Sequence, residues 1–348
     1  MKKIIGIFRG FPGLGRIVSG VTLLETLRDE YNCEVLPISY LQGVKYLMQH
    51  GFSDDFAPSS TDLCSIGILP TGHFGAEIHQ RIADFCPDMI IIDGEPLMLQ
   101  SIKISHPGTK VVALLNPADV VNPSNDQYAM DFFNGIYSLA DLAIVHGLKS
   151  IQKPIVYGKF VCTNTILRNE ILSISNTPST NVYCILGGGT ENCSYSFEDT
   201  TLRVAFSTIS LAKLYPHNTF HILCAGSKIA NKLLLTSLPE NVIIHQELVK
   251  PQQYYSDASI VITRAGRNTL SELAYLNLPA IVFVSGDEYR IEEQKANLES
   301  LASSLLLPAS TDEDLQSSFA RLLSAKGNSH FEPGNRVIME CLNSLLFE

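Results

Sequence analysis

The residues best equipped for chemistry sit in glycine-rich turns at the ends of short apolar runs. Arg9-Gly10-Phe11-Pro12-Gly13-Leu14-Gly15-Arg16 follows one such run. Glycines let a turn take positive φ and let a ligand approach the backbone. A helix start behind the turn offers N–H groups and partial positive charge to an anion. Gly13 and Gly15 fit a dinucleotide fingerprint, but position 18 is Val, and no G-K-[ST] of a P-loop follows. A tight turn with no ligand fits this segment as well. Gly187-Gly188-Gly189-Thr190 closes a second run. Three glycines exceed what a turn needs, and they suggest backbone pressed against a phosphate or an interdomain cleft, with a plain flexible turn as the alternative. The richest segment is Arg264-Ala265-Gly266-Arg267-Asn268-Thr269, which leads into a helical stretch carrying Glu272. Thr269 and Glu272 are spaced to share a helix face. Phosphate at the helix start would set a ribose about one turn deeper, where a carboxylate can accept from both its hydroxyls. An exposed surface glutamate is the alternative for Glu272.

These turns need a scaffold, and the pattern around them supplies one. Apolar runs at 3–8, 34–38, 89–93, 110–114 and 142–145 predict strands, and the series resumes at 182–186, 219–224, 241–245, 259–263 and 280–284. Many are unbroken and rich in Ile and Val, as strands covered on both faces tend to be. Amphipathic stretches lie between them: Gly20, Leu23, Leu24 and Leu27 recur at helical spacing, and Leu270, Leu273, Ala274 and Leu278 do much the same. Strand–helix alternation predicts parallel sheets with right-handed crossovers, hence a doubly wound α/β class. The series occurs twice, with a break around 152–180. The expected layout is one Rossmann-like domain over 1–155, a second over 156–332, and a closing helix in 333–348 that returns to the first.

Composition narrows the function classes. The chain has 348 residues, 45% of them hydrophobic and 17% charged, with a net charge of -10. That is apolar enough for two cores and too apolar for disorder. Long-range repulsion of phosphate backbones argues against nucleic acid as a partner. A small anionic ligand needs only a local pocket of N–H groups. The run after Lys2-Lys3 stops at Arg9, short of an export signal, and no stretch approaches the ~20 apolar residues of a membrane span. The eight cysteines are scattered without a C-x-x-C pair, which reads as reduced thiols in a cytoplasmic protein and not as a disulfide framework or zinc site.

Taken together, Asp257-Ala258, Arg264-Ala265-Gly266, Thr269-Leu270-Ser271-Glu272-Leu273-Ala274, Leu278-Pro279-Ala280 and Glu293-Gln294-Lys295-Ala296-Asn297 resemble the nucleotide-sugar half of GT-B glycosyltransferases, closest to the family-28 type. The register holds without a gap from Asp257 to Pro279. Gly187–Thr190 matches the family's glycine turn opening the second domain, and Gly13-x-Gly15-Arg16 its first-domain loop. Asp93-Gly94-Glu95-Pro96 is similar to an Asp-x-Glu-Pro of uncharacterised relatives. The resemblance implies two Rossmann-like domains facing across a cleft and a metal-independent transferase with no cofactor, using a nucleotide diphosphate sugar, a UDP-sugar by preference, and an acceptor hydroxyl or amine. It implies that Glu272 binds the ribose. Gly266, Arg267, Asn268 and Thr269 would line the diphosphate, with Arg264 nearby and Gly188, Gly189 and Thr190 close to the phosphates. Glu293 and Gln294 would meet the donor sugar, and the base would stack around 245–249. Arg267 could neutralise leaving-group charge.

One departure matters. Relatives usually carry histidine where this chain has Arg16, and arginine does not accept a proton in proteins. Arg16 could bind phosphate or an acceptor carboxylate instead. If an acceptor must be deprotonated, the candidates in order are Glu95, Asp93 and His73 (in Thr71-Gly72-His73-Phe74-Gly75), with Asp119 behind them. A carboxylate in a closed cleft can have its pKa raised toward working pH. A structural role is the alternative for each. The same fold also serves UDP-sugar 2-epimerases and hydrolases, and loss of the histidine could mark a non-catalytic nucleotide-sugar-binding partner. A dinucleotide oxidoreductase ranks last, because Pro37-Ile38-Ser39-Tyr40 brings no ribose-binding carboxylate to the end of the second strand. Few Lys or Arg cluster in the first half, which favours a soluble acceptor over membrane association.

Overall fold

The computed structural model describes residues 1–10, 13–53, 73–187, 195–284, 288–301, 303–325, 327 and 330–347. The chain forms two units, Met1–Ile166 together with Gly334–Glu348, and Leu167–Pro333.

The first unit contains β1 (Lys3–Phe8), α1 (Gly15–Asp29), β2 (Glu34–Ile38), α2 (Gln42–Gln49), α3 (His73–Phe85), β3 (Met89–Asp93), α4 (Pro96–Ser105), β4 (Lys110–Leu115), α5 (Pro117–Val120), α6 (Gln127–Tyr137), β5 (Leu142–His146) and β6 (Phe160–Thr163). Its six-stranded sheet runs in the order β2-β1-β3-β4-β5-β6, and every pairing is parallel. Ile90, Ile92, Val111, Ala113 and Val145 are buried on one face. On α1 the expected stripe of Gly20, Leu23, Leu24 and Leu27 is buried. Gly20 serves packing: a Cβ there would stand 2.3 Å from the Phe8 ring. Each buried leucine of this stripe contributes roughly 1.5–3 kcal/mol of apolar burial.

The second unit contains α7 (Asn169–Leu172), β7 (Asn181–Ile185), α8 (Tyr195–Leu214), β8 (Thr219–Leu223), α9 (Ser227–Leu234), β9 (Val242–His245), α10 (Pro251–Tyr255), β10 (Ala258–Arg264), α11 (Arg267–Leu276), β11 (Ala280–Phe283), α12 (Glu288–Leu301), β12 (Leu306–Ala309) and α13 (Asp312–Leu322). Its parallel sheet runs β12-β11-β10-β7-β8-β9. Phe220, Ile222, Ile262, Ile281 and Phe319 belong to its core. The chain then returns to the first unit as α14 (Asn335–Phe347), whose Ile338 and Leu342 are fully buried. At the crossing Gly334 N–H donates to the Thr165 carbonyl at 3.0 Å. A Cβ on Gly334 would lie 2.1 Å from the Asn164 carbonyl oxygen, so the two passes of chain touch there.

Two strands extend the sequence reading. β6 pairs with β5 and carries the first unit past residue 155 to Ile166, beyond the boundary expected from the break. β12 contains Pro308 at a sheet edge, where a missing N–H costs no ladder bond. No helix among the described residues is long and apolar enough to cross a membrane.

In both sheets the strand order reverses once. In the first unit the reversal lies between β1 and β3, and in the second between β7 and β10. Open α/β sheets bind ligands outside the carboxyl ends of their strands at such points. Register puts Phe8 beside Asp93 and Ile185 beside Thr263, so Arg9 and Glu95 leave one switch point, Gly187 and Arg264 the other.

Candidate functional site

The first unit gathers a charged cluster at its switch point. Arg9, just beyond β1, is buried, and its Nε donates to Glu95 Oε1 at 3.1 Å. Its guanidinium also donates to the Gly94 carbonyl. Tyr40, beyond β2, donates its hydroxyl to the same Glu95 oxygen at 2.6 Å. Glu95 Oε2 has no hydrogen-bond partner among the described residues. From the first turn of α1, Arg16 grips Asp119 with both amino groups, at 3.0 and 2.8 Å, and also donates to Asp93. Asp119 holds α5 in register by accepting from Asn116 N–H at 2.8 Å, half of a capping box.

Gly94 makes this packing feasible. Its φ is +88°, and a Cβ there would stand 2.7 Å from Arg16 Cδ and 2.9 Å from Arg9 Cβ. Both arginine stems therefore pass across bare backbone.

The cluster's protonation follows from burial and charge. Burial pushes the Glu95 carboxyl up, and the opposing pull of Arg9 and Tyr40 does not cancel it. Burial acts the same way on Asp119, but there the Arg16 charge and hydrogen bonds win and hold it below the usual carboxylate range. Arg16 is raised well above its ordinary value, because Asp119 and Asp93 outweigh its desolvation. Three carboxylates (Asp93, Glu95 and Asp119) face two guanidiniums (Arg9 and Arg16). Of the two carboxyls Glu95 and Asp119, burial raises the first and charge lowers the second.

Of the first-unit candidates, the fold brings Glu95, Asp93, Asp119 and Arg16 together. Arg16, expected to meet phosphate or an acceptor carboxylate, is engaged by two carboxylates of its own chain. Gly15 opens α1, and a Cβ on Gly13 would meet nothing within 4 Å among the described residues. His73 is the first residue of α3; its side chain lies outside the described residues. Arg9 and Tyr40 were not anticipated.

The second unit builds its site on β10 and α11. Gly266 is the N-cap of α11, and Arg267, Asn268 and Thr269 form the first turn. Arg267 Nε donates to Asn268 Oδ1 at 3.1 Å, and Arg264 reaches Thr201 Oγ1 on α8 at 3.4 Å. Glu272 follows one turn in and is buried, which excludes the reading as an exposed surface glutamate. Its carboxylate does not stand open. Arg168 Nε donates to Oε1 at 2.8 Å, an Arg168 amino group to Oε2 at 2.7 Å, and Tyr255 hydroxyl to Oε2 at 2.9 Å. Arg168 also donates to Tyr254 at 3.2 Å. Burial next to this charge pushes the Tyr255 phenol well up, so it remains a donor. A fork-to-fork arginine–carboxylate pair is the geometrically strongest form of ion pair. On α12, Gln294 is buried and Glu293 exposed. His245 ends β9 with Nε2 3.0 Å from His221 Nδ1. Gly188, Gly189 and Thr190 lie outside the described residues; Gly187, directly before them, has φ +85°.

Comparison with known proteins bears on this second site. Residues 217–326 match the glycosyltransferase family 28 C-terminal domain. MurG of Acinetobacter baumannii has a similar structure, with TM-score 0.58, 13% identity, and coverage of 99% of this chain and 100% of that one. So has the spinosyn rhamnosyltransferase SpnG complexed with thymidine diphosphate, at 0.60 and 12%, covering 99% and 96%. The UDP-GlcNAc 2-epimerase of Methanocaldococcus jannaschii, in complex with UDP-GlcNAc and UDP, follows at 0.58 and 11%, covering 98% and 99%. No curated protein matches the chain in sequence. At these identities the structural likeness establishes the fold, which is GT-B.

Proposed function

We propose that this GT-B chain, whose second unit carries a glycosyltransferase family 28 C-terminal domain, is a glycosyltransferase that moves a sugar from a nucleotide diphosphate sugar, UDP-linked by preference, to an acceptor hydroxyl or amine. The observation that carries the reading is the strand–turn–helix from β10 to α11. It delivers Arg264 and Gly266 to a sheet switch point and sets a buried carboxylate, Glu272, one turn behind, within the segment matched to that family.

The second unit binds the donor. The α11 start, with Gly266, Arg267, Asn268 and Thr269, receives the diphosphate through N–H groups and the positive helix end. Glu272 takes a ribose hydroxyl through the one lone pair, on Oε1, that Arg168 and Tyr255 leave without a donor. Gln294 and Glu293 serve the sugar, and Gly188, Gly189 and Thr190 the phosphates. The first unit supplies the base. Glu95 accepts the acceptor's proton while the acceptor's lone pair forms the bond to the anomeric carbon. The nucleotide diphosphate leaves with the electron pair of the broken C–O bond. Asp119, held ionised by Arg16, and Asp93 fix the arginine. Neither a metal nor a cofactor takes part in this scheme.

The test is a thermal-shift panel of nucleoside diphosphates on the wild type and Glu272→Gln. A ligand at 100 times its Kd stabilises by about 2.7 kcal/mol. Stabilisation by UDP that the variant lacks supports the donor site, and no response to any nucleotide overturns it. The similarity to a 2-epimerase gives a second reading with the same donor site. Incubation with UDP-sugars and no acceptor separates the two, because fast epimerisation favours the second.

A further inference from the structure

Glu95 as the proton-accepting group leaves open which of its oxygens does the work and what selects it. We propose that Tyr40 is a positioning residue for that reaction: with Arg9 it occupies Glu95 Oε1 and thereby reserves Oε2 as the atom that exchanges the proton. The inference rests on the reading of Glu95 as base.

Geometry makes the assignment. Both donors converge on one oxygen, Tyr40 hydroxyl at 2.6 Å and Arg9 Nε at 3.1 Å. The second oxygen has no partner among the described residues, although the side chain is completely buried. A buried acceptor left without a donor is costly, so its retention points to a partner that arrives in turnover. With Oε1 occupied by two donors, a proton taken up by this carboxyl resides on Oε2. The attacking acceptor, an O–H or N–H donor, is such a partner.

Tyr40 is itself held for the purpose. The next residue, Leu41, has φ +52°, a left-handed conformation that leucine rarely adopts. Gly43 N–H donates to the Tyr40 carbonyl at 3.0 Å, and a Cβ on Gly10 would stand 1.9 Å from that same oxygen. Ser39, one residue earlier, ties the segment to β1 by donating to the Phe8 carbonyl at 2.8 Å. The strained turn aims the phenol across the end of β1 at a residue beyond β3.

Arg9 beyond β1, Tyr40 beyond β2 and Arg16 on α1 act on Glu95 directly, and Asp93 on β3, Asp119 on α5 and Tyr137 on α6 are coupled to those arginines. Asp93 and Asp119 are bound by Arg16 and Tyr137 is raised far above neutrality. Burial raises the Glu95 carboxyl toward the protonated form, and hydrogen bonding from Tyr40 favours its ionised form.

The test is a carbon-13 NMR titration of the full chain with glutamate carboxyls labelled, the Glu95 signal assigned by its loss in Glu95→Gln. Tyr40→Phe removes one donor and is expected to raise the Glu95 midpoint; a midpoint unmoved by this change overturns the proposal. Should Tyr40→Phe fail to fold, a ring-fluorinated tyrosine at position 40, a stronger donor, is expected to lower the midpoint instead, and no movement again overturns it. With a donor found by nucleotide release from a panel of UDP- and dTDP-sugars, the acid limb of kcat moves with the NMR midpoint in Tyr40→Phe while KM for the donor stays unchanged. A change in KM alone counts against the positioning role. Full turnover in Glu95→Gln removes the base reading itself, a result distinct from an unmoved titration.

Discussion

Arg168 and Glu272 stand 104 residues apart in sequence, yet their side chains meet edge to edge at 2.8 and 2.7 Å. The contact joins the start of the second unit to its α11 helix. It also converts a buried negative charge into a neutral, hydrogen-bonded pair that Tyr254 and Tyr255 complete.

Breaking that pair from one side strands a charge. Arg168→Ala is expected to cost about 3–5 kcal/mol, the usual penalty for an uncompensated buried ion. Urea unfolding of the full chain, followed by a probe on the second unit, measures it. An effect below about 1 kcal/mol would show that water or a rearranged side chain reaches Glu272.

Gly94→Ala strikes the first-unit cluster through backbone alone. The new methyl would lie 2.7 Å from Arg16 Cδ at a φ of +88°. A loss of roughly 1–3 kcal/mol is expected from the conformation, with displacement of both arginines adding to it. Thermal unfolding checks the stability, and donor turnover is expected to fall with it.

Glu95→Gln separates stability from activity. The raised Glu95 carboxyl means that the folded chain holds its proton more tightly than the unfolded chain does. Between the unfolded and folded values, stability therefore falls as pH rises. Glutamine keeps an acceptor for Arg9 and Tyr40 and removes that slope. The variant is expected to match or exceed wild-type stability at neutral pH while losing turnover. A marked loss of stability at neutral pH would mean that the carboxylate charge itself holds the cluster together.

Asp119→Asn is expected to behave oppositely. Arg16 holds Asp119 below its ordinary range, so its contribution is present above the unfolded value and is lost as pH falls through the folded one. Asparagine removes this support at neutral pH, and the gap to wild type narrows in acid. Denaturation midpoints across that pH range measure the convergence.

Thiol labelling reads the packing of the second unit. Burial pushes the Cys184 and Cys224 thiols up to about 12, whereas Cys86 is exposed. Of these three, only Cys86 is expected to react in the folded chain, and mass spectrometry of labelled peptides locates the sites. Prompt modification of Cys184 would indicate that β7 opens locally.

Much of the scaffold was legible because local patterns encode it. Continuous runs such as Met89–Asp93 announce strands covered on both faces, and they became β3. β6 escaped because Phe160–Thr163 is short, half-buried and set in a stretch of linker-like composition. Leu306–Ala309 escaped because Pro308 speaks against a strand until an edge position excuses it. The chemistry of the sites was legible by residue type but not by partnership. Glu95, Asp93, Arg16 and Glu272 stood out, whereas Tyr40 and Arg168 did not. Their partners lie 55 and 104 residues away, and no helical or strand spacing reports contacts made through sheet topology.

The return of the chain at Gly334 has a consequence for biosynthesis. The second unit is an insert between Ile166 and Gly334, and α14, with Ile338 and Leu342 fully buried in the finished fold, is translated after it. Domains ordinarily complete themselves from the N-terminus as they emerge. Here the order inverts: the unit begun first is finished last, its final helix arriving only once the whole insert has left the ribosome.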